Sequence, residues 1–181
     1  MDDLLRLDAC ALAEIRRVVD GIRSAEWEQP TPCAGWSVRA LVEHMTTEHV
    51  AICGGTRPEG DPVRAFGLAA DRWLAFFTGR TDPVLVPSSQ TEQSVRTVLT
   101  VHLADMVIHR WDLLTSLGRE ARVPEDLLVA SEAVAVRATD PRSPLVGEGR
   151  AYRPALPADP GDDRIAALVR RYGRDPHWRP A

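Results

Sequence analysis

The chain has 181 residues, 44% of them hydrophobic, with a formal net charge of −4; this fits one domain, or one domain with a small appendix, and supports a buried core. Its 22 Lys-plus-Arg residues are all Arg and lie scattered, which leaves no electrostatic footprint for nucleic acid. The absence of Lys excludes Schiff-base catalysis by a lysine.

The N-terminus, MDDLLRLDAC, is acidic and amphipathic, unlike a signal peptide, and no stretch approaches the run of about 18–20 apolar residues that a membrane span needs. A soluble, cytoplasmic protein is expected. Leu4, Leu5, Ala9, Leu12, Ile15, Val18, Val19 and Ile22 recur at helical spacing and predict a first helix over Asp3 to Arg23. The loop from Ser24 to Trp36 holds Pro30, Pro32 and Gly35, which break regular structure. Ser37 is the expected N-cap of a second helix, Val38 to Cys53, stopped by Gly54 and Gly55. A third starts at Pro62 and ends near Thr78. Residues 82–88 read as extended, one short edge strand at most. A long fourth helix is expected over Thr91 to Leu117, closed by Gly118, then a fifth from Pro124 to Ala138. A tail rich in Pro and Gly follows, with a last short helix over Asp162 to Tyr172. Helix after helix on short connections points to an all-α antiparallel four-helix bundle (residues 1–138) with an irregular extension (139–181) packed on it. Cys10, Cys33 and Cys53 are too widely spaced for a zinc knuckle or a disulfide framework, and read as free thiols.

The fourth helix carries the chemistry. With His102 at zero on the helical wheel, Asp105 falls near about −60° and His109 near about −20°. Val95, Val98, Met106 and Leu113 share that side, so three metal-competent side chains lie in the stripe facing the core. Burying them without partners costs several kcal/mol. Asp105 and His109, four residues apart, sit on adjacent turns and can grip one ion from one helix. A third ligand has to come from elsewhere. The second helix offers His49, inside its apolar stripe, and His44, at the edge beside Glu48; periodicity leans slightly to His49 and leaves both open.

Three segments carry a family resemblance. They are WEQPTPCAGWSV (residues 27–38) leading into Leu41-Val42-Glu43-His44, HLADMVIHRWDLLTSLG (102–118), and Tyr172-Gly173-Arg174-Asp175-Pro176. In this order they resemble the mycothiol-dependent maleylpyruvate isomerase-like metal-binding proteins of the DinB-like superfamily, in particular a short stand-alone branch. The resemblance implies a four-helix bundle that binds a divalent metal, zinc or nickel, through His44, Asp105 and His109, choosing His44 over His49. It also implies a low-molecular-weight thiol, mycothiol among the options, as cofactor or co-substrate. Two departures stand out: the family's acid is often Glu where this chain has Asp105, and its isomerases carry a larger C-terminal domain.

His49 and His102 are expected outside the metal's direct ligands, His49 in or near the core and His102 hydrogen-bonded beside the site. Cys33 reads better as a small hydrophobe wedged between Trp27 and Trp36 than as a thiol at the site. Asp112 reads better as a local partner of Arg110 or Arg119, or as solvated, than as an acceptor for an imidazole N–H. Glu48, Arg174 and His177 are weighed as a general base and as anion-binding groups against plain surface roles. Three protein ligands leave a coordination position open, the arrangement of catalytic zinc. The expected function is a metal- and thiol-dependent transferase or isomerase acting on a small electrophile. The alternative is a non-catalytic protein that binds or sequesters metal or ligand. The expected partners are a small-molecule substrate and a thiol, with no nucleic acid and no membrane, in a monomer or homodimer; no catalytic residue is assigned.

Overall fold

The computed structural model describes residues 2–148 and 150–180. The amphipathic N-terminal segment forms α1 (Asp2–Asp20), with Ala11, Leu12, Ile15, Val18 and Val19 buried. It stops earlier than expected. Beyond it a 3-10 turn, Ser24–Glu26, forms where the Glu26 carboxylate accepts from the Arg23 backbone N–H and guanidinium.

Local capping sets the next two helices. Ser37 Oγ accepts from the Ala40 N–H at 3.2 Å and starts α2 (Val38–Cys53), which ends at Gly54 with φ 75°. Asp61 caps α3 (Pro62–Phe77), with Pro62 at the first turn. The single expected edge strand is instead a hairpin: β1 (Val84–Val86) pairs antiparallel with β2 (Thr91–Gln93), Val84 opposite Gln93. Thr91 therefore belongs to a strand and not to the long helix. The physical reason is a competing pair of signals. Gln90 turns the chain at φ 55°, and Ser94 Oγ accepts from the Thr97 N–H at 3.1 Å to cap α4 (Val95–Ser116). The helices α5 (Glu125–Ala138) and α6 (Arg164–Arg171) follow.

The fold is the all-α, DinB-like bundle that the sequence led us to expect. Helix α1 packs on α4 and α3, α2 on α3, and α5 on α4 and α6. Helix α4 is buried on most of its circumference, His102, Trp111 and Asp112 included. Among the described residues no helix is long and apolar enough to cross a membrane. Among the described residues the segment after α5 forms no strand, yet it buries aromatic side chains. The rings of Tyr152 and Tyr172 meet edge to face at 4.7 Å, and both side chains are lost from solvent.

Candidate metal centre

Asp105, His109 and Asp112 recur at steps of four and three along α4, so their side chains stack along one face. His44 enters from α2, and its ring meets the His109 ring edge to face at 5.7 Å. His109 Nε2 lies 3.7 Å from Asp105 Oδ2. His44, Asp105 and His109 all line one cavity of about 510 Å³, shared with Cys33, Trp36, Glu48, Arg150, Arg153 and Arg174.

The other ring nitrogen of His109 is already committed. Nδ1 lies 3.1 Å from Asp112 Oδ2, and since an ionised carboxylate only accepts, Nδ1 carries the proton and donates. Nε2 is then the nitrogen turned toward Asp105 and open to a ligand once its proton is displaced. Asp112 has no exposed surface. Its two oxygens accept from the Arg174 guanidinium at 3.4 and 3.2 Å, and Cys33 Sγ lies 3.3 Å away. Arg174 also donates to Cys33 Sγ at 3.2 Å and to the Tyr172 carbonyl at 2.9 Å.

The electrostatics follow from this arrangement. Burial alone would lower the pKa of His109, but the Asp105 charge, the Asp112 hydrogen bond and Cys33 outweigh it and push it up to about 10. Burial and the neighbouring His109 lower His44 to about 4, against a smaller pull from Asp105, so His44 is a neutral imidazole at pH 7. Burial tends to raise the Asp112 pKa, but Arg174 and His109 hold it below its ordinary value. Burial and the charge of Asp105 raise Glu48.

Two donor sets meet here. Cys33, His109 and Asp112 each place one donor atom within 4.8 Å of the others. That group is closed by protons, because Asp112 accepts from both His109 and Arg174, and the guanidinium already supplies the positive charge between Asp112 and Cys33. The other set, His44, Asp105 and His109 Nε2, is less tightly grouped but opens on the cavity, with a neutral imidazole, a carboxylate and a second imidazole whose Nε2 proton a metal would displace. That chemistry fits a divalent cation.

Several expectations need correction. Cys33 is a thiol against Asp112 and Arg174, not only a wedge between tryptophans. Asp112 pairs with neither Arg110 nor Arg119; it holds His109 and Arg174. Arg174 does reach the bundle, but it is spent on Asp112. His177 is exposed and does not line the cavity. His102 does not hydrogen-bond beside the site: Nδ1 donates to Asp8 at 2.6 Å and Nε2 meets His49 Nε2 at 2.8 Å, with the ring stacked on Trp73 at 3.8 Å. His49 sits in the core, as expected. Tyr152 joins the site as a residue that the sequence does not mark. It donates its hydroxyl to Asp105 Oδ1 at 3.0 Å across 47 residues, and no local pattern marks it.

Two uncharacterized proteins of Mycobacterium tuberculosis, one from strain CDC 1551 and one from strain H37Rv, are each 25% identical over 164 residues, covering 83% of this chain and 87% of theirs. No solved structure gives a significant match. The family resemblance is shown over α1 from Ala9 onward, α2, α3 and β1: residues 9–86 match the mycothiol maleylpyruvate isomerase N-terminal domain.

Proposed function

We propose that this chain binds one divalent metal ion, zinc or nickel, through His44, Asp105 and His109, and works with a low-molecular-weight thiol such as mycothiol as a transferase or isomerase of a small electrophile. The observation that carries the reading is the division of labour on His109. Nδ1–H is held by buried Asp112 while Nε2 faces Asp105 and the cavity that His44 also lines. Metal-ligating histidines ordinarily donate their other N–H to a carboxylate in this way, which fixes tautomer and ring orientation. A divalent ion at such a site supplies a Lewis acid that favours the thiolate form of a thiol.

The chain's own residues do the remainder. His44 stays neutral and so is ready to ligate without first losing a proton. Trp36 and the segment 150–153 wall the cavity and limit water around a bound small molecule. Glu48, with its raised pKa, stands at the wall as a group able to hold a proton. In this reading residues 1–138 are the metal-binding bundle and 139–181 an extension that closes one side of the cavity. The working unit is a monomer or homodimer in the cytoplasm.

Metal-free protein should take up about one zinc or nickel ion per chain by calorimetry, and His44→Ala or His109→Ala should abolish uptake with helix content retained. Full occupancy in the double variant would overturn the reading. Uptake that survives His44→Ala but not Cys33→Ala would move the ion to the Cys33 set. Metal-dependent consumption of thiol separates the enzyme from a sequestering protein.

A further inference from the structure

The two α4 groups proposed as ligands are each gripped from behind by the C-terminal segment. Asp105 Oδ1 accepts the Tyr152 hydroxyl at 3.0 Å, while its Oδ2 is the oxygen turned toward His109 Nε2. Tyr152 is itself fixed. Its ring packs edge to face on Tyr172, and its backbone N–H donates to the Leu145 carbonyl. On the other ligand, Arg174 holds Asp112 through both carboxylate oxygens, and Asp112 holds His109 Nδ1. Arg174 is aimed by its bond to the Tyr172 carbonyl and by the Gly173 turn at φ 73°.

We infer that the C-terminal segment sets the coordination chemistry of the metal site from its outer side: Tyr152 keeps Asp105 a one-oxygen ligand, and Arg174, through Asp112, keeps Nε2 of His109 as the ligating nitrogen. Both are positioning residues and neither touches the ion. The inference rests on His44, Asp105 and His109 being the ligands. Its chemical content is specific. A carboxylate with one oxygen tied to a buried phenol presents a single oxygen, and that restrains the coordination number and favours the small, low-coordinate geometry of zinc over cations that want many oxygens. A chain with the same bundle but without these two side chains would keep the ligands and lose that restraint.

The test uses cobalt(II) as a spectroscopic probe of full-length protein. Its visible absorption weakens as coordination number rises. Tyr152→Phe removes one oxygen atom and leaves the ring packing. It should lower cobalt affinity about tenfold or more and weaken the visible bands, because Asp105 is released to bind through both oxygens. Arg174→Lys keeps the charge but not the two-pronged grip, and should lower affinity by a similar factor, while Arg174→Met lowers it further if it folds. Ser131→Ala, on α5 and away from the cavity, is the control: its buried hydroxyl has no hydrogen-bond partner among the described residues, and its loss should leave both affinity and spectrum unchanged. Wild-type affinity and spectrum in Tyr152→Phe would overturn the Asp105 half, and the same result in Arg174→Lys the His109 half. Wild-type protein that takes up no cobalt, zinc or nickel would overturn the ligand assignment itself, and this inference with it.

Discussion

Asp112 shows what a single buried side chain can do at this site. It accepts from His109 and from Nε and Nη2 of Arg174 without any exposed surface. Asparagine in its place keeps the shape and one acceptor but leaves the Arg174 guanidinium buried without a counter-charge. Removing one partner of a buried pair costs about 3–5 kcal/mol, and losing the carboxylate behind a ligating imidazole costs about 10–100-fold in metal affinity. Asp112→Asn should therefore show both effects, in urea unfolding and in zinc calorimetry. A variant that binds zinc as tightly as wild type would mean that Asp112 is purely structural. The residue was visible in the sequence three positions after His109, but spacing could not tell an inward acceptor from a partner of Arg110. That distinction depends on Arg174, 62 residues away.

At the scale of elements, the turn after α6 decides where Arg174 points. Gly173 adopts φ 73°, and a Cβ added there would stand 2.6 Å from Arg153 Cβ and 2.9 Å from the Pro154 carbonyl oxygen, so Gly173→Ala meets strain and backbone together. The left-handed conformation alone costs an L-residue about 1–2 kcal/mol. Gly79 makes the right comparison, with φ 71° and open space around its Cβ position. Both variants should lose thermal stability. Only Gly173→Ala should also weaken zinc binding, because only that turn carries Arg174. Equal zinc affinity in the two would detach the turn from the metal site. The caps at Ser37 and Gly54 were legible because a cap is written in one or two adjacent residues. The start of α4 was misplaced because Thr91 and Ser94 both stand where a helix could begin, and only pairing with β1 draws Thr91–Gln93 into a strand.

Across the whole molecule, the buried histidines give metal-free protein a pH profile with two falling sides. His49 is held well below its ordinary pKa, chiefly by burial, and His44 is lowered to about 4 for the same reason. Unfolded, both take a proton near about pH 6.5. Their contribution is therefore present above that value and lost as pH falls toward 4, with Glu48 opposing part of the change. His109 runs the other way. Its folded pKa, pushed up to about 10, means that its contribution is complete below about pH 6.5 and lost as pH rises through 10. Urea midpoints of the metal-free protein should peak near neutrality, and zinc should abolish the alkaline decline by taking the place of the proton on Nε2. A decline of equal size with zinc bound would show that the ion does not sit on His109.

The amino-acid sequence alone was enough for the helical repeat, the Ser37 cap, the bundle class and the inward Asp105–His109 pair, because each is carried by residues within a few turns of one another, while the choice of His44 over His49 came from the family resemblance. The tertiary structure alone decided what stands behind those side chains. It gave Tyr152 to Asp105, Arg174 and Cys33 to Asp112, and Asp8, 94 residues distant, to His102. The physical reason is the burial of α4 on most of its circumference. A helix wrapped by others has several inward faces, and a wheel cannot say which neighbour each polar side chain will meet. The partners came from α1, the loop before α2 and the chain after α5; Cys33 and Arg174 stood out in the sequence, but nothing local to those segments says that Asp112 is the group they meet.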